Sequence, residues 1–337
     1  MLYSVALFAL VSTAVAAPKP QMTEELRNMA GGAVAQQVIE KELSIEGVME
    51  FQLANFIQNL QVDYFKQGME QSKNWPNKPV AGIKPADEVK RIWAQEEAYV
   101  ETFAETLKNN KAKVAEPCQY KFPFKDEKSF FALASIVGDI SYGQLINLEN
   151  RLAKTDPEVI PHISRIIPVK AKADAYFRMY AGEVPNPQAY ATTLPLEMAY
   201  NLALDYVVPG SCKNPIDFFA KLRIYPDMSI KGTSDATSAT PNSPGAINFG
   251  VVQKDMLPQG TDSKKLYMAW INEDKPVKYT PVTPKDGQYP ADLPEGMFGM
   301  AYAVLTDQNQ AKTALDLVKH TLAGPYPLPL GPGKYDK

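Results

Sequence analysis

The sequence predicts an α+β chain: an up-down helical bundle followed by a small antiparallel, sandwich-like β domain at the C-terminal end. Three observations lead there. From about residue 44 to 208 the apolar residues recur at spacings of three and four, the period of helices with a buried face. Beyond Cys212 that period fades, and Gly, Ser, Thr and Pro crowd residues 232 to 245. Two β-prone runs, Lys265 to Ile271 and Met297 to Leu305, then stand between turn residues.

In chain order, the first element is an apolar run through Leu2, Val5, Leu7, Phe8, Leu10 and Val11 that closes on Ala14-Val15-Ala16. Small residues at that spacing suit a signal peptidase, so residues 1–16 read as a signal peptide and the mature protein as secreted and extracellular. The run is too short to cross a hydrocarbon layer, which needs ~20 residues, and it ends at Pro18-Lys19-Pro20. No second apolar stretch of spanning length follows, and the polar end from Lys334 to Lys337 is unlike the tail of a lipid-anchor signal. No transmembrane anchor is expected. Residues 17–43 form an N-terminal segment, 44–225 the helical bundle and 226–337 the β-rich C-terminal domain.

Within the bundle, punctuation at Trp75 to Pro85, Glu116 to Pro123, Thr155-Asp156-Pro157 and Gly182 to Pro187 separates the helical stretches. Five helices are predicted, near 46–70, 86–110, 127–152, 158–181 and 195–207. Pro195 suits a first helical turn. Pro168 should kink the fourth helix, because it lacks a backbone donor and crowds the preceding turn.

The 337 residues carry 35 Lys and Arg against 38 Asp and Glu, a net charge of −3. Without a basic excess to neutralise phosphates, nucleic acid is not an expected partner. There are 2 cysteines, Cys118 and Cys212. In an oxidising compartment an even count predicts a disulfide between them. The sequence lacks an Asn-x-Ser/Thr acceptor, a Gly-x-Ser-x-Gly elbow, a phosphate-binding glycine loop, a His-Glu-x-x-His pair and a Cys-x-x-Cys motif. Its 2 histidines, His162 and His320, have no neighbours that suggest a catalytic triad. No catalytic residue is assigned on these grounds.

A bundle that holds two metal ions needs a Glu from each of two helices and Glu-x-x-His from each of the other two. The sequence departs from this. The helix near 86–110 carries Glu96 in an otherwise apolar row, with Tyr99 three residues on. The helix near 158–181 carries Lys170, followed at the same spacing by Ala173. The helix near 127–152 offers Gly138, and the helix near 46–70 offers the amides Gln58 and Gln61.

Five segments, in order, resemble the ferritin-like family that includes plant desiccation-related proteins and secreted fungal stress-response proteins. They are Ile57 to Gln61 with Tyr64-Phe65, Glu96 to Val100, Pro117 to Pro123, Val169 to Arg178, and Val207 to Cys212. The Pro-Cys-x-Tyr-x-Phe-Pro piece is the most distinctive, and the resemblance covers about residues 45 to 225. It implies a ferritin-like bundle, with the C-terminal strands similar to the β extension of the fungal members. By position it would put metal-binding carboxylates at Gln58, Glu96, Gly138 and Lys170 and histidines at Tyr99 and Ala173. Only Glu96 remains a ligand, unless the register shifts by one and Asp139 replaces Gly138. The resemblance therefore implies a divergent member with a degenerate metal site, no cofactor and no metal-based catalysis.

In place of metals, Lys170 is expected to reach Glu96 as a buried ion pair, with Tyr99 and Gln58 hydrogen bonding to it, since either charge buried alone would be costly. The competing arrangement lets Lys170 extend to solvent and leaves Glu96 half exposed. Three functions follow: a non-catalytic secreted protein with a stress-related, cell-surface binding or structural role; a metal-dependent oxidase or iron-handling protein with an atypical site; or a small-molecule or lipid binder using the bundle core. A cell-wall or small-molecule partner is expected without its identity.

Overall fold

A computed structural model of the chain describes residues 22–32, 42–230, 246–261 and 264–331. The signal-peptide reading of 1–16, much of the N-terminal segment, the Gly/Ser/Thr/Pro stretch and the polar end at 334–337 lie outside the described residues.

After a short helix α1 (Glu24–Ala30), four long helices form the bundle: α2 (Ile45–Ser72), α3 (Pro85–Asn109), α4 (Glu127–Leu152) and α5 (Ile160–Ala181). Local chemistry sets their ends. The Ser44 hydroxyl accepts from the Gly47 amide to cap α2, and its own backbone and hydroxyl donate to the buried Asp156 carboxylate. Pro85 opens α3, with Asp87 and Glu88 in the first turn facing the positive end of the helix dipole. Asp126 and Ser129 form a reciprocal capping box on α4, and Gly182, at φ 78°, ends α5 in the left-handed conformation. Pro168 is accommodated inside α5, which continues to Ala181.

A fifth bundle element, α6 (Leu196–Leu204), ends three residues before its periodicity suggests, and Pro195 caps it rather than entering it. The shortening has a cause. Tyr206 and Val208 leave the helical path to pair with the strand-like segment around Tyr120: the Lys121 amide donates to the Tyr206 carbonyl at 2.8 Å and the Val208 amide to the Gln119 carbonyl at 2.9 Å. The Cys118–Cys212 disulfide closes this corner. Phe122 and Phe124 from the same segment pack edge-on against Tyr64, which also stacks on Phe130.

Beyond the bundle, the described residues form seven strands in two antiparallel sheets. β1 (Met228–Ile230), β2 (Ala246–Val251) and β5 (Tyr289–Asp292) form one, ordered β1-β2-β5. β3 (Leu266–Asn272), β4 (Lys278–Val282), β6 (Gly299–Thr306) and β7 (Thr321–Leu330) form the other, ordered β4-β3-β6-β7, with the short helix α7 (Ala314–Leu317) before β7. The four-stranded sheet is the middle layer. Because side chains alternate across a strand, β3 sends Met268 and Trp270 into a core shared with Phe249 and Tyr289 of the outer sheet, and Ala269 and Ile271 into the core of the bundle. β6 divides likewise, Ala301, Ala303 and Leu305 outward and Met300, Tyr302 and Val304 toward the helices.

Among the described residues one helix, α4, is long and apolar enough to cross a membrane by length and composition, but most of its surface is buried in the fold. Neighbours α2, α5 and α6 cover it, so α4 is a core helix.

Candidate functional site

Four helices converge on one ammonium group. The Lys170 side chain comes from α5 and is 5% exposed; the Glu96 carboxylate comes from α3 and is 3% exposed. Lys170 Nζ lies 2.7 and 2.6 Å from the two Glu96 carboxylate oxygens, and donates to Gln61 Oε1 at 2.6 Å and Gln58 Oε1 at 3.0 Å. An ammonium has three N–H donors, and three residues supply the acceptors. Gln58 and Gln61 are three apart on α2 and so share a face. Their amides are oriented from behind: Gln58 Nε2 donates to the Ser141 hydroxyl and Gln61 Nε2 to the Val137 carbonyl of α4, each at 2.8 Å. Those bonds turn both amide oxygens toward the ammonium.

Tyr99 takes a different part from the expected hydrogen bond. Its ring face, not its hydroxyl, meets the ammonium, with Nζ 4.9 Å from the ring centroid. Burial, and then the negative Glu96 beside it, push the Tyr99 hydroxyl above its ordinary range. Burial also raises Glu96 above the usual carboxylate range and lowers Lys170 below the usual ammonium range, while each partner's charge opposes the other's shift.

Gly138 and Ala173 stand apart from this network. Gly138 is half-exposed, a Cβ added there would meet nothing within 4 Å, and the α4 groups that bond the amides are Val137 and Ser141. On α4 it is the Ser141 side chain, three residues along from Gly138, that reaches the centre. Ala173 packs half-buried against the main core. Asp139, the alternative acid, is 1% exposed and accepts from the Tyr302 hydroxyl of β6, at the junction with the sheet. Cys118 and Cys212 are joined away from this centre.

Two metal ions would need several anionic or imidazole ligands. The centre offers one carboxylate, two amide oxygens and the face of a tyrosine, and an ammonium lies among the oxygens. Among the described residues no group of three or more His, Cys, Asp or Glu side chains is placed to hold a metal ion. The residues present do not fit a two-metal centre.

Comparison with known proteins identifies the bundle. Residues 48–183 match the family model of the ferritin-like domain. The helical unit is a ferritin-like domain. No curated protein matches the chain. The matched span holds Gln58, Gln61, Glu96, Tyr99, Ser141 and Lys170, so the lysine-centred network is at the heart of the ferritin-like domain itself, and the two sheets follow it.

Proposed function

We propose that this is an exported ferritin-like protein that has exchanged its metal centre for an internal ion pair and serves a non-catalytic, stress-related role as a binding or structural protein outside the cell. The observation that carries this reading is the Lys170 ammonium enclosed by Glu96, Gln58 and Gln61. A cation fixed to the backbone brings the positive charge that those oxygens require, and it leaves the single carboxylate without spare charge for a metal. Export is supported by the apolar leader ending in Ala14-Val15-Ala16 and by the paired cysteines. The ferritin-like bundle of 44–225 and the β-rich part of 226–337 are read as one exported unit.

Elemental analysis tests it. The full-length mature protein, purified and then incubated with ferrous or manganous salt and desalted, should retain far less than one metal ion per chain. Iron or manganese near one or two per chain would overturn the proposal in favour of the metal-dependent oxidase or iron-handling alternative.

A second reading rests on a separate observation. An apolar cavity of about 310 Å³ lies beside the disulfide, lined by Phe56, Tyr200, Ile216 and Phe219 among others. It favours binding of a small apolar molecule, in a different place from the bundle centre, where Lys170 resides. Quenching or displacement of a fluorescent fatty acid, lost in Phe219→Asp but kept in Lys170→Met, is the expected result; no saturable uptake would remove this reading.

A further inference from the structure

The apolar cavity beside the disulfide is walled by Phe56 of α2, by the segment holding Ala115 and Cys118, by Tyr200 and Leu204 of α6, and by the loop that runs on from Cys212. That loop is pinned to the bundle along its length. The disulfide ties Cys212 to Cys118, Lys113 Nζ donates to the Pro215 carbonyl at 2.6 Å, and the Asn201 side chain of α6 donates to the Arg223 carbonyl at 2.9 Å. A wall held in this way keeps its shape before a ligand arrives, so little ordering of the protein opposes binding.

Volume and lining narrow the ligand. The space of about 310 Å³ is roughly twice that of an engineered apolar cavity of ~150 Å³ that holds one benzene ring, so two fused rings fit. Three aromatic side chains of the lining meet one another. Phe219 lies edge-on to Phe56 with centroids 5.3 Å apart and is tilted by 35° to Tyr200 at 4.8 Å, while Phe56 and Tyr200 are 5.6 Å apart. Because these planes are inclined to one another, a flat guest can lie offset along one ring and meet another edge-on, the two arrangements that aromatic rings prefer. A flexible alkyl chain gains neither contact and loses rotamer freedom on entry.

Charge narrows it further. Among the residues that line the cavity Glu116 carries the one charge, and both Glu116 and Asn214 are half-buried. A carboxylate on the wall accepts a hydrogen bond from a guest hydroxyl and repels a guest anion. Burial raises the Tyr200 hydroxyl above its ordinary value, so that part of the wall stays neutral. We infer that the cavity beside the disulfide binds an uncharged bicyclic aromatic molecule that bears a hydroxyl group, its rings against Phe56, Tyr200 and Phe219 and its hydroxyl directed to Glu116. This rests on the reading of the cavity as a site for a small apolar molecule and names the ligand class; it is independent of the lysine-centred network.

Calorimetric titration of the full-length protein with 2-naphthol at pH 7 tests the inference. Decahydro-2-naphthol has the same skeleton and hydroxyl without a π face, and 2-naphthoate carries an anion on the same rings. The expected result is saturable one-to-one binding of 2-naphthol, about tenfold tighter than either of the others. Phe219→Leu keeps the wall apolar and should erase the preference for 2-naphthol over its saturated analogue; Tyr200→Leu, at a half-buried position, should do the same and guards against misfolding of the first variant. Glu116→Gln should bring 2-naphthoate close to 2-naphthol. The fluorescent fatty acid separates this inference from the reading beneath it. If the fatty acid binds saturably but 2-naphthol does not displace it, the ligand class is overturned and the apolar site stands. If neither the fatty acid nor any of the three compounds binds saturably, both fall. Equal binding of 2-naphthol and decahydro-2-naphthol, equal binding of 2-naphthol and 2-naphthoate, or an undiminished ring preference in both leucine variants would each overturn it as well.

Discussion

Removing the ammonium of Lys170 would leave the Glu96 carboxylate facing two amide oxygens that Ser141 and Val137 hold in place. A buried charge that loses its partner costs ~3–5 kcal/mol, whereas replacing the whole pair by apolar residues is often close to neutral. Lys170→Met is therefore expected to lower the urea midpoint sharply, and Lys170→Met with Glu96→Met to recover most of the loss. Equal stability of Lys170→Met and the native protein would count against the pair. Buried carboxyls set the pH response. Asp139 and Glu50 rise to about 7 from ordinary values of 3.8 and 4.5, mainly through burial. A carboxyl whose folded value is raised binds its proton more tightly when folded, so its stabilising effect is complete below about pH 4 and is lost as the pH climbs through about 7. For Asp139 that loss is at most ~4 kcal/mol. Asp139→Asn should flatten the decline in stability measured between pH 5 and pH 8; an unchanged slope would contradict this.

At the scale of elements, close approach decides what can be altered. Gly143 of α4 lies under the loop before α6: an added Cβ would come 2.8 Å from the Thr192 carbonyl and 3.2 Å from Leu194 Cβ. Overpacking typically costs ~1–3 kcal/mol, so Gly143→Ala should destabilise although Ala is the better helix former; denaturation at neutral pH would register it. The disulfide spans 94 residues, and opening it through Cys118→Ser with Cys212→Ser should cost ~4–5 kcal/mol in the chain-entropy account. The helices were legible in the sequence because caps and prolines mark them locally. The C-terminal end of α6 was not, since it depends on pairing with Gln119 to Lys121, remote in sequence. β3 and β6 could be read because both their faces are buried, which makes continuous apolar runs. β7 could not: Pro325, Pro327 and Pro329 argue against a strand, yet it is an edge strand, where missing N–H groups are tolerated. Glu96 and Lys170 stood out as charges in apolar rows. The α4 contribution did not, because α4 is covered on nearly every side and no single face declares itself, and Asp139 meets Tyr302 across 163 residues of chain.

For the molecule as a whole, the bundle and the middle sheet share one buried core. The helix-facing side chains of β3 and β6 belong to the same core as Leu53, Ile57 and Phe131. A fragment ending at residue 225 would expose the bundle surface that meets Ala269, Ile271, Met300 and Val304. It is expected to bind a hydrophobic dye and lose a sharp thermal transition, while the full chain unfolds in a single step; a compact, cooperatively melting fragment would show the sheets to be dispensable. The lysine at the bundle centre also bears on how the protein comes into being. Its positive charge is synthesised with the polypeptide, so on the proposed metal-free reading that centre is completed by folding alone, without a loading step. If that reading holds, a chelator such as EDTA extracts nothing from that centre, and the melting temperature should be the same in its presence, whether the producing cell was starved of iron or replete.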